Sequence, residues 1–263
     1  MIAATIISAA LFTGCKKEDS MTGIAVQEIG NGTTNVTYQL QTLVPPAGSL
    51  VKWDKGYATA SAILFNGTHY NGEMIVREQF AAKDGKTVVL FGTPVLGSVN
   101  VPYNAFSSVS ATIQLNPLNE NNALFLSGVH YIVQTGPSDN PVPINTIPVQ
   151  VMISDPIMLG SAWIDNVTIN QPSYTAILSL DLSQLTNGIL PRMLEIATAT
   201  NGVVIISSTS NQNLYGIIVK NLQSNVMTMQ LSAGIISAVP GQPITTSGKP
   251  IVATAQPSEP TIR

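Results

Sequence analysis

The chain has 263 residues, of which only 10% are charged, with a net charge of −3 and one cysteine. Soluble domains usually carry about 25% charged residues, and here Asn, Thr, Ser and Gln fill the polar positions instead. With no basic cluster beyond Lys17, the footprint that nucleic-acid phosphates require is excluded, and a lone cysteine excludes an internal disulfide.

The chain opens on an apolar run, Ile2 to Phe12, broken by Thr5 and Ser8. It is too short for a bilayer-spanning helix, which needs about 20 residues, and suits the apolar part of a secretory leader. Thr13 and Gly14 are small, and Cys15 follows at once. Leu11-Phe12-Thr13-Gly14-Cys15 resembles the lipobox of bacterial lipoproteins. The resemblance implies removal of residues 1–14, acylation of Cys15, and a membrane as partner. Two features depart from that family: Phe12 stands where Leu is usual, and Met1-Ile2-Ala3 has no basic residue. The second suggests a true start further upstream. Lys16 to Ser20 reads by itself as a solvated charge run. Lys17, Glu18 and Asp19, just after the cysteine, also resemble the export signal of surface lipoproteins of the Bacteroidetes type. That implies an outer-membrane, lipid-anchored protein exposed at the cell surface. Residues 15–33 are then the lipidated N-terminus and tether.

From residue 34 the pattern changes to strands. Val36, Tyr38 and Leu40 alternate with Thr37, Gln39 and Gln41, which places one apolar face on a half-buried strand. Pro45-Pro46-Ala47-Gly48 ends it. Ala58 to Phe65 is the next strand, closed by an Asn66-Gly67 turn. Asn71-Gly72 leads into Met74 to Phe80, and Asp84-Gly85 marks a further turn. Val88 to Phe91 and Val99 to Val101 are short strands. Val109, Ala111, Ile113 and Leu115 face the core of a strand from Ser107. Leu124 to Val133 is interrupted at Gly128, the mark of a bend or bulge. Residues 135–148 hold four prolines and read as a long hairpin loop. Val149, Val151 and Ile153 resume the alternation, followed by Val167 and Ile169.

Between Thr175 and Leu182 the even positions face the core, while Thr175, Ile177, Ser179 and Asp181 face out. Ser183 is placed to cap a short turn, and Pro191 to open a helix running to about Ala197. Val203 to Ile206 is a strand. Asn211 is placed as the N-cap of a second helix carrying Leu214, Ile217, Ile218 and Leu222 at helical spacing. Met227, Met229 and Leu231 form a last strand. Residues 236–263 read as a flexible Pro/Ser/Thr tail. Short strands between turn residues predict a mainly β, antiparallel β-sandwich over residues 34–235, with two short helices near its C-terminal end.

Trp53-Asp54-Lys55-Gly56-Tyr57-Ala58, Val101-Pro102-Tyr103, Ser179-Leu180-Asp181-Leu182 and the Ala199 to Leu222 stretch resemble uncharacterised Bacteroidetes-type lipoproteins with a prealbumin-like β-sandwich. The resemblance implies a fold and a location, and no activity.

Chemistry-bearing patterns are sparse. His69 and His130 have no Cys, Asp or second His at metal-ligand spacing, and His69 reads as a solvated turn residue. There is no Gly-x-Ser-x-Gly elbow. Ser49-Leu50-Val51-Lys52 fits Ser-x-x-Lys by spacing alone. Glu73 and Glu78, five apart, fall on opposite faces of one strand and cannot flank a glycosidic bond. The expectation is a non-catalytic module with no cofactor and no metal. Trp53, Tyr57, Tyr103 and Trp163, at strand edges, are the candidate ligand platforms. Such rings serve glycan binding, as in an accessory lipoprotein of nutrient uptake, or cover the ends of the core. A glycan or another envelope protein is the expected partner.

Overall fold

The computed structural model describes residues 32–118, 122–135, 141–224, 226–234 and 251–252. Cys15, the Lys17, Glu18 and Asp19 run, and the expected tail other than Ile251 and Val252 lie outside the described residues. The strands are β1 (Thr33–Thr42), β2 (Lys52–Tyr70), β3 (Ile75–Ala82), β4 (Lys86–Val89), β5 (Val95–Pro102), β6 (Asn104–Leu115), β7 (Leu124–Thr135) and β8 (Pro141–Ile153). They continue as β9 (Ile157–Gly160), β10 (Ile164–Ile169), β11 (Ser173–Leu180), β12 (Ala199–Thr200), β13 (Val203–Ile206), β14 (Met227–Ala233) and β15 (Ile251–Val252). Helices α1 (Pro191–Glu195) and α2 (Gln212–Gln223) and a 3-10 turn, Leu182–Thr186, lie among the later strands. No helix among the described residues is long and apolar enough to cross a membrane.

Five strands, in the order β15-β14-β11-β1-β5, form one sheet, and the other ten form a second. The larger sheet is built on β2. Tyr57 pairs with Val89 of β4 and with Phe125 of β7. Ala60 pairs with Lys86 of β4 and with Leu115 of β6. One residue cannot face two partners across the same edge, so β6 and β7 run end to end along one edge of β2. Leu64 pairs with both Ala81 and Thr112, so β3 lies with β4 along the other edge. The Asp84-Gly85 pair therefore interrupts a strand and does not turn a hairpin. Register shifts beside Asp54 and Ser61 mark bulges in β2. Bulges bend a strand and raise its twist, and the large sheet curls into a half-barrel facing the small one.

The inward faces carry the expected alternation. Val36, Tyr38 and Leu40 meet Val109, Ala111, Ile113 and Leu115 and the β8 set Val149, Val151 and Ile153 in one buried cluster. Leu214, Ile218 and Leu222 add the apolar face of α2 to the same cluster. The pairing is mixed, because β1–β11 and β8–β13 are parallel. Both pairs join strands far apart in sequence, which allows the crossover that parallel pairing needs.

Several local expectations are corrected. Asn66-Gly67 is not a turn, since β2 runs through it. Gly67 is there because a Cβ would stand 2.5 Å from the Phe106 ring. The hairpin turn is at Asn71-Gly72, where the Asn71 Oδ1 accepts from the backbone of Glu73 and Met74. Gly128 does not bulge β7. Its missing Cβ lets the Lys52 carbonyl approach, and the bulge falls opposite, on β2. Prolines 141, 143 and 148 lie within β8, beyond the Val149–Val151 span that β13 covers; an edge strand tolerates them. Thr175 and Ile177 are buried rather than outward, because β11 is an interior strand. Ile177 lies between Gln39 of β1 and Gln230 of β14.

The cap of the 3-10 turn is Asp181, not Ser183. Its Oδ1 accepts from the Ser183 backbone N–H at 3.0 Å and the Ser183 hydroxyl at 2.6 Å. Partial burial opposes ionisation, but the bonds from Ser183 and Gln184 outweigh it and hold this carboxyl below its usual range. Asp181→Ala should cost about 1 kcal/mol near neutral pH, the usual worth of such a cap. With a depressed folded pKa, that contribution is full above the ordinary carboxylate range and fades as pH falls from that range through the lowered folded pKa. Urea midpoints of the two proteins at pH 7 and pH 3 should therefore converge at the lower pH. Asn211 does precede α2, but in a left-handed conformation and without a side-chain cap bond. Its amide instead ties Thr198 to Ile205.

Candidate functional site

The four aromatic candidates do not share a surface. Trp53 faces inward from β2, is 3% exposed, and donates its indole N–H to the Leu182 carbonyl at 3.2 Å. It is part of the core and offers no platform. Tyr57 stacks on Phe125 across the β2–β7 pairing, with centroids 5.2 Å apart. Tyr103 packs over Gly32, where a Cβ would come within 2.7 Å of its ring. Trp163, in the break between β9 and β10, is 50% exposed.

Trp163 stands at the rim of a groove of about 750 Å³ lined by Asn66, Thr68, Arg77, Gln79, Ser108 and Asp165, together with Gly67 and Glu78. Strand register assembles it. Thr68 pairs with Arg77 and Ser108, and Asn66 with Gln79, so these side chains share one face. Asp165 pairs with Ser108 on the next strand. The floor is tied together. Gln79 Nε2 donates to Asn66 Oδ1 at 2.8 Å, Asn66 Nδ2 reaches Thr112 at 3.1 Å, and the Thr68 and Ser108 hydroxyls lie 2.6 Å apart. The Arg77 guanidinium and Asp165 carboxylate make no hydrogen bond or ion pair with any other described residue. The groove thus sets a donor fork and an acceptor, neither engaged by another described residue, around an interlinked polar floor, beside the Trp163 indole.

His69 is not a solvated turn residue. It lies within β2, edge-on to Phe106 at 6.1 Å, with Nδ1 3.9 Å from Glu78 Oε2. Glu73 sits in the Asn71-Gly72 turn, apart from Glu78 on β3. No group of three or more His, Cys, Asp or Glu able to hold a metal occurs among the described residues. The Ser49 hydroxyl donates to the Pro46 carbonyl at 2.7 Å. Asp155 accepts from Tyr215 at 3.0 Å; burial and this bond push the phenol up to about 12.

A second concave region lies between the Gly48–Leu50 segment, β7 and α1. His130, Glu195, Tyr131 and Pro191 line it, and it adjoins an apolar cleft under the Leu43 to Pro46 loop. Sequence reading missed both the groove floor and His130. The floor had a signal, the polar alternation Asn66-x-Thr68 and Arg77-x-Gln79. His130 had none, because Val129, Tyr131 and Ile132 disguise it as a core strand position. Comparison with protein-family models, curated proteins and solved structures finds no match.

Proposed function

We propose that the chain is a lipid-anchored bacterial surface lipoprotein whose β domain is a non-catalytic glycan-binding module. The anchor reading rests on the Leu11 to Cys15 pattern and the outer-membrane reading on Lys17, Glu18 and Asp19. Two facing sheets that fill one core support reading the domain as a sandwich of the prealbumin-like kind.

The observation that carries the binding assignment is the half-exposed Trp163 beside a polar groove. A pyranose presents C–H bonds on its faces and hydroxyls around its rim. The indole face suits the first. Hydroxyls both donate and accept, so they match Arg77 on one side and Asp165 on the other. The interlinked floor is already ordered, which lowers the entropy cost of binding.

The test is a glycan-binding screen on the full chain, followed by calorimetry with the best saccharide. Trp163→Ala should weaken binding by roughly 30-fold, the loss of about 2 kcal/mol typical of an aromatic anchor. Trp163→Phe should restore part of it. Unchanged affinity in Trp163→Ala would remove this groove as the site.

A further inference from the structure

The cleft at His130 shares no lining residue with the Trp163 groove, and its chemistry is different. His130 is 3% exposed, and its Nδ1 lies 2.7 Å from the Leu50 carbonyl oxygen. A carbonyl only accepts, so Nδ1 carries a proton, and in the neutral form of the ring Nε2 is then a bare lone pair. That atom is buried and has no hydrogen-bond partner among the described residues. Glu195 Oε1 stands 4.0 Å from it. A carboxylate also only accepts. With the ring neutral, two acceptors face each other, at a spacing that a donor atom about 2.8 Å from each would bridge.

The walls say what such a donor is attached to. Leu50, Tyr131, Ile132 and Pro191 surround the pair in a cleft of about 520 Å³. Gly48, Ser49 and Tyr131 are shared with the neighbouring cleft of about 530 Å³, where Leu43, Val44, Pro45, Pro46 and Phe91 supply apolar surface. Glu195 is 37% exposed on its side chain and belongs to a one-turn helix, so it can yield to a ligand entering from solvent.

We propose that this cleft binds a primary amine carrying an apolar body. One ammonium nitrogen has three N–H bonds, enough to serve Nε2 and Oε1 together, and its charge complements Glu195. A hydroxyl has a single proton to give. A quaternary ammonium has none, and a carboxylate would be repelled. The apolar body lies along the Leu43 to Pro46 wall, in a volume ordinary for small-molecule sites.

Calorimetry of the full chain at pH 7.5 with hexylamine, hexanol, hexanoate and hexyltrimethylammonium tests this. Hexylamine should bind at least tenfold more tightly than the other three, and Glu195→Gln should remove at least tenfold of its affinity. Glu195 is partly exposed, so this variant should keep its fold and its glycan affinity, which separates the result from the Trp163 reading. In histidine-¹⁵N-labelled protein, the Nε2 resonance should shift on saturation with hexylamine. Nα-acetyl-lysine methylamide, titrated alongside, distinguishes a protein lysine from a free amine as the source of the group. Equal affinity for hexanol, or full affinity in Glu195→Gln, would overturn the proposal. So would an Nε2 that is already protonated in the free protein at pH 7.5.

Discussion

Trp53→Ala should lower the stability of the domain by about 4 kcal/mol, in the range of Trp-to-Ala changes in well-packed cores. The side chain is 3% exposed and belongs to the main buried cluster. Its removal takes away that contact area and leaves a cavity between the large sheet and the 3-10 turn. It also leaves the Leu182 carbonyl without the indole N–H that reaches it, and an unmet buried acceptor carries its own penalty. Trp163→Ala should change stability by less than about 0.5 kcal/mol, the usual scale of surface substitutions. Urea unfolding of both variants gives the comparison. Similar midpoints would mean that Trp53 does not hold the large sheet to the 3-10 turn. The opposed pattern, one tryptophan for folding and one for binding, is the sharpest statement the fold makes about its aromatic residues.

Where side chains alternate across a strand, the sequence was readable. Val36, Tyr38 and Leu40, the odd positions from Val109 to Leu115, and Met227, Met229 and Leu231 all face inward as their spacing requires. Pro191 and Asn211 marked their helices because each sits at a helix start. Legibility failed where a residue's meaning is set by a partner distant in the chain. Gly67 has the local chemistry of a turn, and only the Phe106 ring, brought over by strand pairing, makes it a strand residue. Gly128 likewise answers to Lys52. Whether Ile177 is covered depends on where β11 stands in its sheet, which periodicity does not encode. Trp53 and Trp163 look alike in sequence, each near a strand end and an Asp. Their opposite burial follows from the inward side of β2 in one case and the break between β9 and β10 in the other.

Cys15→Ala should abolish metabolic labelling with a palmitate analogue altogether and leave residues 1–14 attached, as read by the mass of the purified protein. Each acyl CH₂ buried in lipid contributes about 0.8 kcal/mol; one chain holds a protein only marginally, and two or three hold it firmly. With the thiol gone there is no site for any of them, so the effect is all or none. Continued labelling of the variant, or a free thiol and intact leader in the wild-type protein, would end the lipoprotein reading. The fold adds a geometric consequence. The described domain begins beside Thr33, where β1 starts and where Tyr103 donates to the Gly32 carbonyl. β1 then carries the chain roughly 30 Å, at about 3.3 Å per residue, to the Leu43 to Pro46 loop. An anchor at Cys15, as proposed, would join the described domain at the Thr33 end of β1. The cleft proposed to take the ammonium group adjoins the apolar cleft under that loop, which includes Thr42 at the other end of β1.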